Sequence, residues 1–353
     1  MKFILKFILL FSFQIGYAQV ELNADGAGDT YGLIASVLAP GQNPIEVPDC
    51  GHNAFGDHID QVFDEELNAH VFRFHIHTEP DNDRCISFDR QRNEIKSYAP
   101  SPDNLLGVQD EKVIYNWKFK LAEGFQTSPN FTHLHQLKSV GGPLASSPMY
   151  TLTARKSNPD RLELRYAETD NQTTLKQSPL APFINTWLEV TETIVYGTSG
   201  TYEIEIKRVS DEVVLFEYEN NSIINWRPEA EFVRPKWGIY RSLINAQDLR
   251  DEMVFFANFS IEEVDFTTST DATLENDIEI IFSNPIINTI YVNDVSSKVS
   301  SVRIFSLEGK KVMDKIIEPA TTFNLDVSYL PKGTYVLNFL GKGLNQAEMI
   351  LVN

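Results

Sequence analysis

The sequence predicts an all-β protein: a β-jelly roll of two antiparallel sheets with a concave groove, followed by a small C-terminal β-sandwich. Three observations predict it. Short segments rich in β-branched and aromatic residues recur along the chain. Turn residues separate them at short intervals. No long stretch carries the three-to-four-residue apolar spacing of an amphipathic helix.

The elements follow in order. Residues 1–18 read as a secretory signal peptide: Lys2 and Lys6 make a basic start, Phe7–Phe13 is apolar, and Gly16-Tyr17-Ala18 is a small-x-small cleavage site. The apolar run falls short of the ~20 residues that a membrane span needs. Strands are expected at Ala69–His77, Lys112–Leu121, Tyr150–Ala154, Arg161–Tyr166, Trp187–Val195, Thr201–Val209 and Val213–Tyr218. Turns are expected at Ser157-Asn158-Pro159-Asp160, Tyr196-Gly197-Thr198-Ser199-Gly200 and Ser210-Asp211. Gln61–Leu67 and Asn245–Asp251 read as one or two helical turns each. The jelly roll spans residues 19–266, a polar linker covers 267–277, and Ile278–Asn353 has the size of a small β-sandwich.

Composition narrows the function classes. The chain has 353 residues, enough for two or three domains of about 100–200 residues each. Hydrophobic residues make up 42% and charged residues 22%, enough apolar content for a sizeable core. Acidic residues outnumber basic ones by 49 to 30, for a net charge of −19, which argues against a nucleic-acid partner. The two cysteines, Cys50 and Cys85, are expected to bridge in the oxidising compartment that an exported protein meets.

Against this acidity, positive charge is concentrated in three segments. In Asp89–Tyr98, alternation places Arg90, Arg92, Glu94 and Lys96 on one strand face. In Thr132–Lys138, Gln136 and Lys138 share a face. In Val233–Ser242, Arg234, Lys236, Gly238, Tyr240 and Ser242 share a face, with Arg241 beside them and Trp237 on the opposite, core side. Charged alternation on a single strand usually marks a solvent face. Three such segments in an acidic chain point instead to a site for an anionic ligand.

The order and spacing of Arg92-Asn93-Glu94-Ile95-Lys96, Gln136-Leu137-Lys138 and Lys236-Trp237-Gly238-Ile239-Tyr240 resemble the jelly-roll polysaccharide lyases. Alginate lyases of that architecture carry Arg-x-Glu-x-Arg, Gln-x-His and Lys-x-Gly-x-Tyr. Here Lys96 stands for the last Arg and Lys138 for the His. The Lys/Tyr pair is similar to the ulvan lyases of marine bacteria, and residues from about Thr30 to Val264 resemble that group. The resemblance implies a β-elimination on an anionic algal polysaccharide, with Lys138, Tyr240, Arg92 and Gln136 catalytic. Arg90, Asn93, Glu94, Lys96, Arg234, Lys236 and Arg241 would then bind substrate.

The chemistry asks for those residue types. The proton α to a uronate carboxylate is weakly acidic, so donors must stabilise the charge that builds on that carboxylate. Arg92 and Gln136 suit this role. A base must take the proton, which Lys138 can do once neighbouring cations and burial lower its pKa. An acid must protonate the leaving oxygen, and Tyr240 can donate. A hydrolase would need two carboxylates flanking the bond, and this face offers only Glu94. A non-catalytic protein that binds anionic glycans is the alternative from another class.

Weaker signals remain. His75-x-His77 and His133-x-His135 each place two imidazoles on one face, a zinc-like arrangement without a third ligand in view; hydrogen-bonded structural histidines are the simpler reading. Asp25, Asp29, Asp57 and Asp60 offer oxygen ligands of the kind a structural calcium takes, although aspartates in such loops also simply form turns. The chemistry itself requires no cofactor. The tail resembles the C-terminal sorting domain of the type nine secretion system of gliding bacteria. The match rests on Phe282-Ser283-Asn284-Pro285, Val302–Lys310 and Leu330–Leu337. That resemblance implies secretion, to the medium or the outer-membrane surface, with the secretion machinery as partner. A monomer is the default expectation.

Overall fold

The computed structural model describes residues 18–26, 28–264, 278–281, 286, 288–294, 299–306, 310–318, 322–341 and 344–352. The expected signal peptide (apart from Ala18), the expected linker and Phe282–Pro285 lie outside them. The chain divides into two compact units, Met1–Asp265 and Phe266–Asn353.

The first unit is a β-jelly roll. It runs β1 (Ala18–Leu22), α1 (Thr30–Leu38), β2 (Ile45–Glu46), β3 (Ile59–Asp64), β4 (Ala69–Ile76), β5 (Arg90–Lys96), β6 (Lys112–Leu121) and β7 (Thr132–Val140). It continues with β8 (Tyr150–Arg155), β9 (Arg161–Tyr166), β10 (Thr173–Pro179), β11 (Leu188–Val195), β12 (Gly200–Arg208), β13 (Val214–Ile223), β14 (Phe232–Ser242) and β15 (Glu252–Val264). One sheet has the order β13-β12-β11-β6-β15-β4-β3, with β1 also pairing β15; the other has the order β10-β9-β8-β7-β14-β5-β2. All these pairings are antiparallel.

Alternation explains the first sheet. In β6, Val113, Tyr115, Trp117, Phe119 and Leu121 point into the core while the residues between them are half-exposed. In β12, Tyr202, Ile204 and Ile206 face inward and Glu203 outward. In the second sheet, the middle residues of β5 and nearly all of β7 and β14 are buried on both faces. Their inner face holds Ile95, Leu137, Trp237 and Ile239, packed on Tyr115, Trp117 and Phe259. Trp237 is fully buried there, as its strand parity predicts. Their other face is buried although it is charged.

The core also holds a polar chain. His135 Nε2 lies 2.8 Å from Glu192 Oε2, and the Tyr202 hydroxyl donates to Glu192 Oε1 at 2.6 Å. Glu192 is thereby held from both sheets, by Tyr202 of its own sheet and His135 of the other, which offsets its desolvation.

Three local expectations change. Helix α1 forms where no helix is evident in the sequence. Asp29 caps it by accepting from the Gly32 N–H at 2.8 Å, and Ile34 and Leu38 pack into the core. Its nine residues include a glycine and several β-branched side chains, so tertiary packing rather than propensity holds it. Gln61–Leu67 is not helical: its first part lies in β3, paired with β4 from Ile59↔Phe74 to Asp64↔Ala69. Asp64 closes the following turn by accepting from the Glu66 and Leu67 N–H groups. Asn245–Asp251 contains a single 3-10 turn, Ala246–Asp248. Cys50 and Cys85 form a disulfide, with Cα atoms 6.2 Å apart.

The second unit contains β16 (Ile278–Ile281), β17 (Thr289–Asp294), β18 (Val299–Ser306), β19 (Lys311–Ile316), β20 (Thr322–Asp326), β21 (Gly333–Gly341) and β22 (Leu344–Val352). They form sheets β16-β17-β20 and β19-β18-β21-β22 around a core of Ile290, Val302, Ile304, Leu325, Leu337, Phe339 and Ile350.

Gly238 is the tightest point of β14. Its φ is +145°, and a Cβ there would sit 2.1 Å from the Asn93 carbonyl oxygen on β5. Gly238→Ala therefore forces the two central strands apart. It is expected to lower stability by roughly 1–3 kcal/mol, read as a reduced urea midpoint with an unchanged slope.

Candidate active site

The charged face of the second sheet forms the floor of a groove of about 590 Å³, lined by Asp83, Arg90, Arg92, His133, Gln136, Lys138, Arg165 and Tyr240 among others. Strand register sets the floor. Lys236 of β14 stands between Lys96 of β5 and Gln136 of β7. Tyr240 stands between Arg92 and His133. Lys138 pairs with Arg234.

Two carboxylates lie under this floor. Glu94 accepts from Lys236 Nζ at 3.0 Å, from Arg92 Nη1 and from the Gln136 amide. Glu46 accepts from Lys96 Nζ at 2.7 Å, from Arg84 Nη1 at 2.8 Å and from Lys236. Burial alone would raise both pKa values. The charges of Lys236 and Arg92 outweigh it, and both carboxyls are held below their ordinary 4.5. A third carboxylate, Asp83, accepts from Arg92 Nε at 2.9 Å and from Arg84. Glu94 is thus a buried counter-ion rather than a group that meets substrate directly.

Tyr240 lies on this lattice. The Arg92 guanidinium sits 3.7 Å from the centre of its ring, and Arg90 Nη1 donates to its hydroxyl at 3.1 Å. Arg90 is itself clamped by Asp89.

Lys138 has a different environment. Its ammonium donates to the Ser146 carbonyl at 3.0 Å, and among the described residues no carboxylate lies within ion-pair distance. Burial, reinforced by the charges of Lys236, Arg234 and Arg92, pushes its pKa down from 10.5 to about 8. A fraction of the amine is therefore neutral near pH 7–8.

Some expected site residues lie elsewhere. Arg241 is fully buried on the other face, donating to Gln91 Oε1 at 2.8 Å and to the Arg250 carbonyl at 2.8 Å. Asn93 is also fully buried, and its amide donates to the carbonyls of His58 and His75, both at 2.8 Å. Their odd positions place both on the inner face, so neither meets the groove. Lys96 and Lys236 are on the groove face but tied to Glu46. Arg234 Nε is buried without a partner.

Strand parity alone would put His133 on the face opposite Gln136, and the structure departs from it. The β7–β14 ladder slips between Trp237 and Tyr240, and the β7–β8 ladder slips between His133 and His135. His135 stays inside with Trp237, while His133 turns into the groove beside Tyr240, with ring centres 5.9 Å apart. Burial lowers the His133 pKa to about 3, so its imidazole is neutral. Gly238 within a strand was the sequence signal for such an irregularity. Glu46 and Asp83 were also missed: one lies in a two-residue strand and the other in a loop, where no period can be read.

Three of the four aspartates considered for calcium have other partners. Asp25 accepts from the Gln61 amide, Asp29 caps α1, and Asp60 binds Arg73 and His75.

Comparison with known proteins adds two findings. Residues 280–353 match the family described as the secretion system C-terminal sorting domain. Solved structures similar to the chain include an endo-beta-1,4-glucuronan lyase from the fungus Trichoderma reesei, at 13% identity and TM-score 0.42, covering 58% of this chain and 87% of that one. A PL-14 alginate lyase from Aplysia kurodai is 13% identical at TM-score 0.47, covering 69% and 98%. An alginate lyase from Pseudomonas aeruginosa is 11% identical at TM-score 0.41, covering 62% and 97%. No curated protein matches the sequence.

The depressed carboxyl pKa of Glu46 sets an acid sensitivity. Above pH 4.5 it is ionised in both folded and unfolded chains. Below that, the unfolded chain takes up a proton that the folded chain refuses, so stability falls. The urea midpoint is expected to drop as pH falls through about 4.5. Glu46→Gln is expected to lower the midpoint at neutral pH and to make that acid fall shallower.

Proposed function

We propose that the chain is an exported polysaccharide lyase that cleaves a uronate-containing anionic polysaccharide by β-elimination, with ulvan as the favoured substrate. The observation that carries this reading is Lys138: a lysine with a depressed pKa on the same groove face as Tyr240 and Gln136. A protein that only holds an anionic glycan gains from a fully charged lysine; a base for a weakly acidic C–H proton needs the neutral amine.

The roles follow from the contacts. Gln136 spends one N–H on Glu94, which fixes the amide and leaves its second N–H for the substrate carboxylate. Lys138 takes the C5 proton. The electron pair left on C5 forms the C4–C5 double bond as the C4–O bond breaks. Tyr240 delivers its proton to the departing oxygen, and Arg90 and Arg92 hold the phenol in place. Arg92 acts here mainly as a positioning residue, since Asp83, Glu46 and Glu94 hold its Nε and Nη1 and its plane lies against the Tyr240 ring. Arg234 is left to meet sulfate or carboxylate groups along the chain of the polymer. Among the described residues the groove offers no pair of unengaged carboxylates at its floor, which disfavours hydrolysis. The tail that matches a sorting domain supports export.

The test is near-UV absorbance, which reports the new double bond, with ulvan, alginate, glucuronan and heparin offered separately. One polymer is expected to give the signal. Lys138→Met and Tyr240→Phe are each expected to lose about 10²–10⁴-fold in kcat while still binding the polymer. Binding without any absorbance change, on every polymer, would instead establish a glycan-binding protein. The kcat/KM of the wild type is expected to rise with pH along a limb centred near 8, because the protonated lysine is inactive. A limb set by an ordinary lysine near 10.5 would contradict the base assignment.

A further inference from the structure

Outside the groove, three imidazoles from separate segments converge on one carboxylate. Asp81 Oδ1 lies 2.9 Å from His52 Nδ1 and 3.2 Å from His58 Nε2. Its Oδ2 lies 3.1 Å from His77 Nδ1. One ligating atom from each of these four residues falls within 4.8 Å of all the others. We propose that His52, His58, His77 and Asp81 form a structural site for a zinc-class divalent metal ion.

The donor set favours that class. Three imidazole nitrogens and one carboxylate oxygen make a closed four-coordinate set suited to zinc, whereas calcium and magnesium take oxygen ligands. The surroundings match those of a metal-bound histidine. His58 Nδ1 lies 2.6 Å from Asp49 Oδ1, and the Tyr31 hydroxyl donates to the other Asp49 oxygen at 2.8 Å. A proton on Nδ1, donated to Asp49, is the tautomer that leaves the Nε2 lone pair for a metal. The Phe55 ring packs against all three imidazoles, with ring centres 4.4–5.4 Å away. His58 and Asp81 are fully shielded, and the side chains of His52 and His77 are 20% and 18% exposed.

The chain is also built to keep these segments together. The Cys50–Cys85 disulfide joins the loop carrying Asp49 and His52 to the loop that follows Asp81. Asp83, two residues past Asp81, binds Arg92 on the groove floor. The ion would therefore pin the segment from which the groove receives one of its counter-ions. The zinc-like pairing of His75 with His77 that the sequence allows is not the one in this cluster: His75 turns to Asp60 and only His77 joins it.

The test uses the full chain, purified without an oligohistidine tag, stripped with a chelator and then titrated with zinc or cobalt. The expected result is one zinc per chain by elemental analysis, a thermal midpoint that rises with zinc, and the intense visible bands of tetrahedral cobalt. His52→Ala, at the exposed rim of the cluster, is expected to lose the metal. Asp49→Asn is expected to weaken its affinity by about 10–100-fold through His58. A stripped, folded wild type that takes up no zinc would overturn the proposal, as would equal uptake by a His52→Ala, His77→Ala double variant. Should the variants fail to fold, a pale octahedral cobalt spectrum of the wild type overturns it and a tetrahedral one sustains it.

Discussion

The groove depends on a buried exchange of charge. Glu46 and Glu94 are adjacent in register across β2 and β5, and each raises the cost of ionising the other. They remain ionised because Lys236 and Arg92 touch both, with Lys96 and Arg84 closing the Glu46 side. Two-residue β2 has little else to fix it, so this lattice also fastens an edge of the sheet. Buried ion pairs of this kind add little net stability when intact. Breaking one by removing a partner costs about 3–5 kcal/mol, since a charge is left uncompensated. The lattice thus specifies a geometry: it sets the Gln136 amide, the Arg92 plane under Tyr240, and the row of strands that carries them.

The same lattice explains why two lysines on one face differ. Lys236 is neutralised by Glu46 and Glu94 at contact distance. Lys138 is buried, has among the described residues only a backbone carbonyl as partner, and stands among cations, so its proton is held weakly. The balance is local. A net charge of −19 over the whole chain coexists with a groove floor in which cations outnumber carboxylates.

Period-two alternation carried much of the fold. Lys112–Leu121 and Arg161–Tyr166 were placed to the residue, because each has one face in the core. It also carried the grouping of Arg92, Gln136, Lys138 and Tyr240, since regular strands keep parity. It failed where parity breaks or never starts. The slip in β7 hid His133, and the inward parity of Asn93 and Arg241 was overlooked because charge and amide groups were read as surface. Glu46, Asp81 and Asp83 sit in a short strand or loops, where position depends on long-range contacts such as the Cys50–Cys85 bridge. Helix α1 was missed for a related reason: its capping Asp29 is a local signal, but its stability comes from Ile34 and Leu38 meeting the core.

The central claim is that burial and neighbouring cations, and not the identity of the residue alone, make Lys138 a base. Its ammonium can be titrated directly by NMR in protein carrying isotope-labelled lysine, with the signal assigned by its loss in Lys138→Met. A pKa near 8, rising toward 10.5 when Arg234→Gln removes one neighbouring charge, is the predicted result. A signal that titrates near 10.5 in the wild type and does not respond to Arg234→Gln would contradict it.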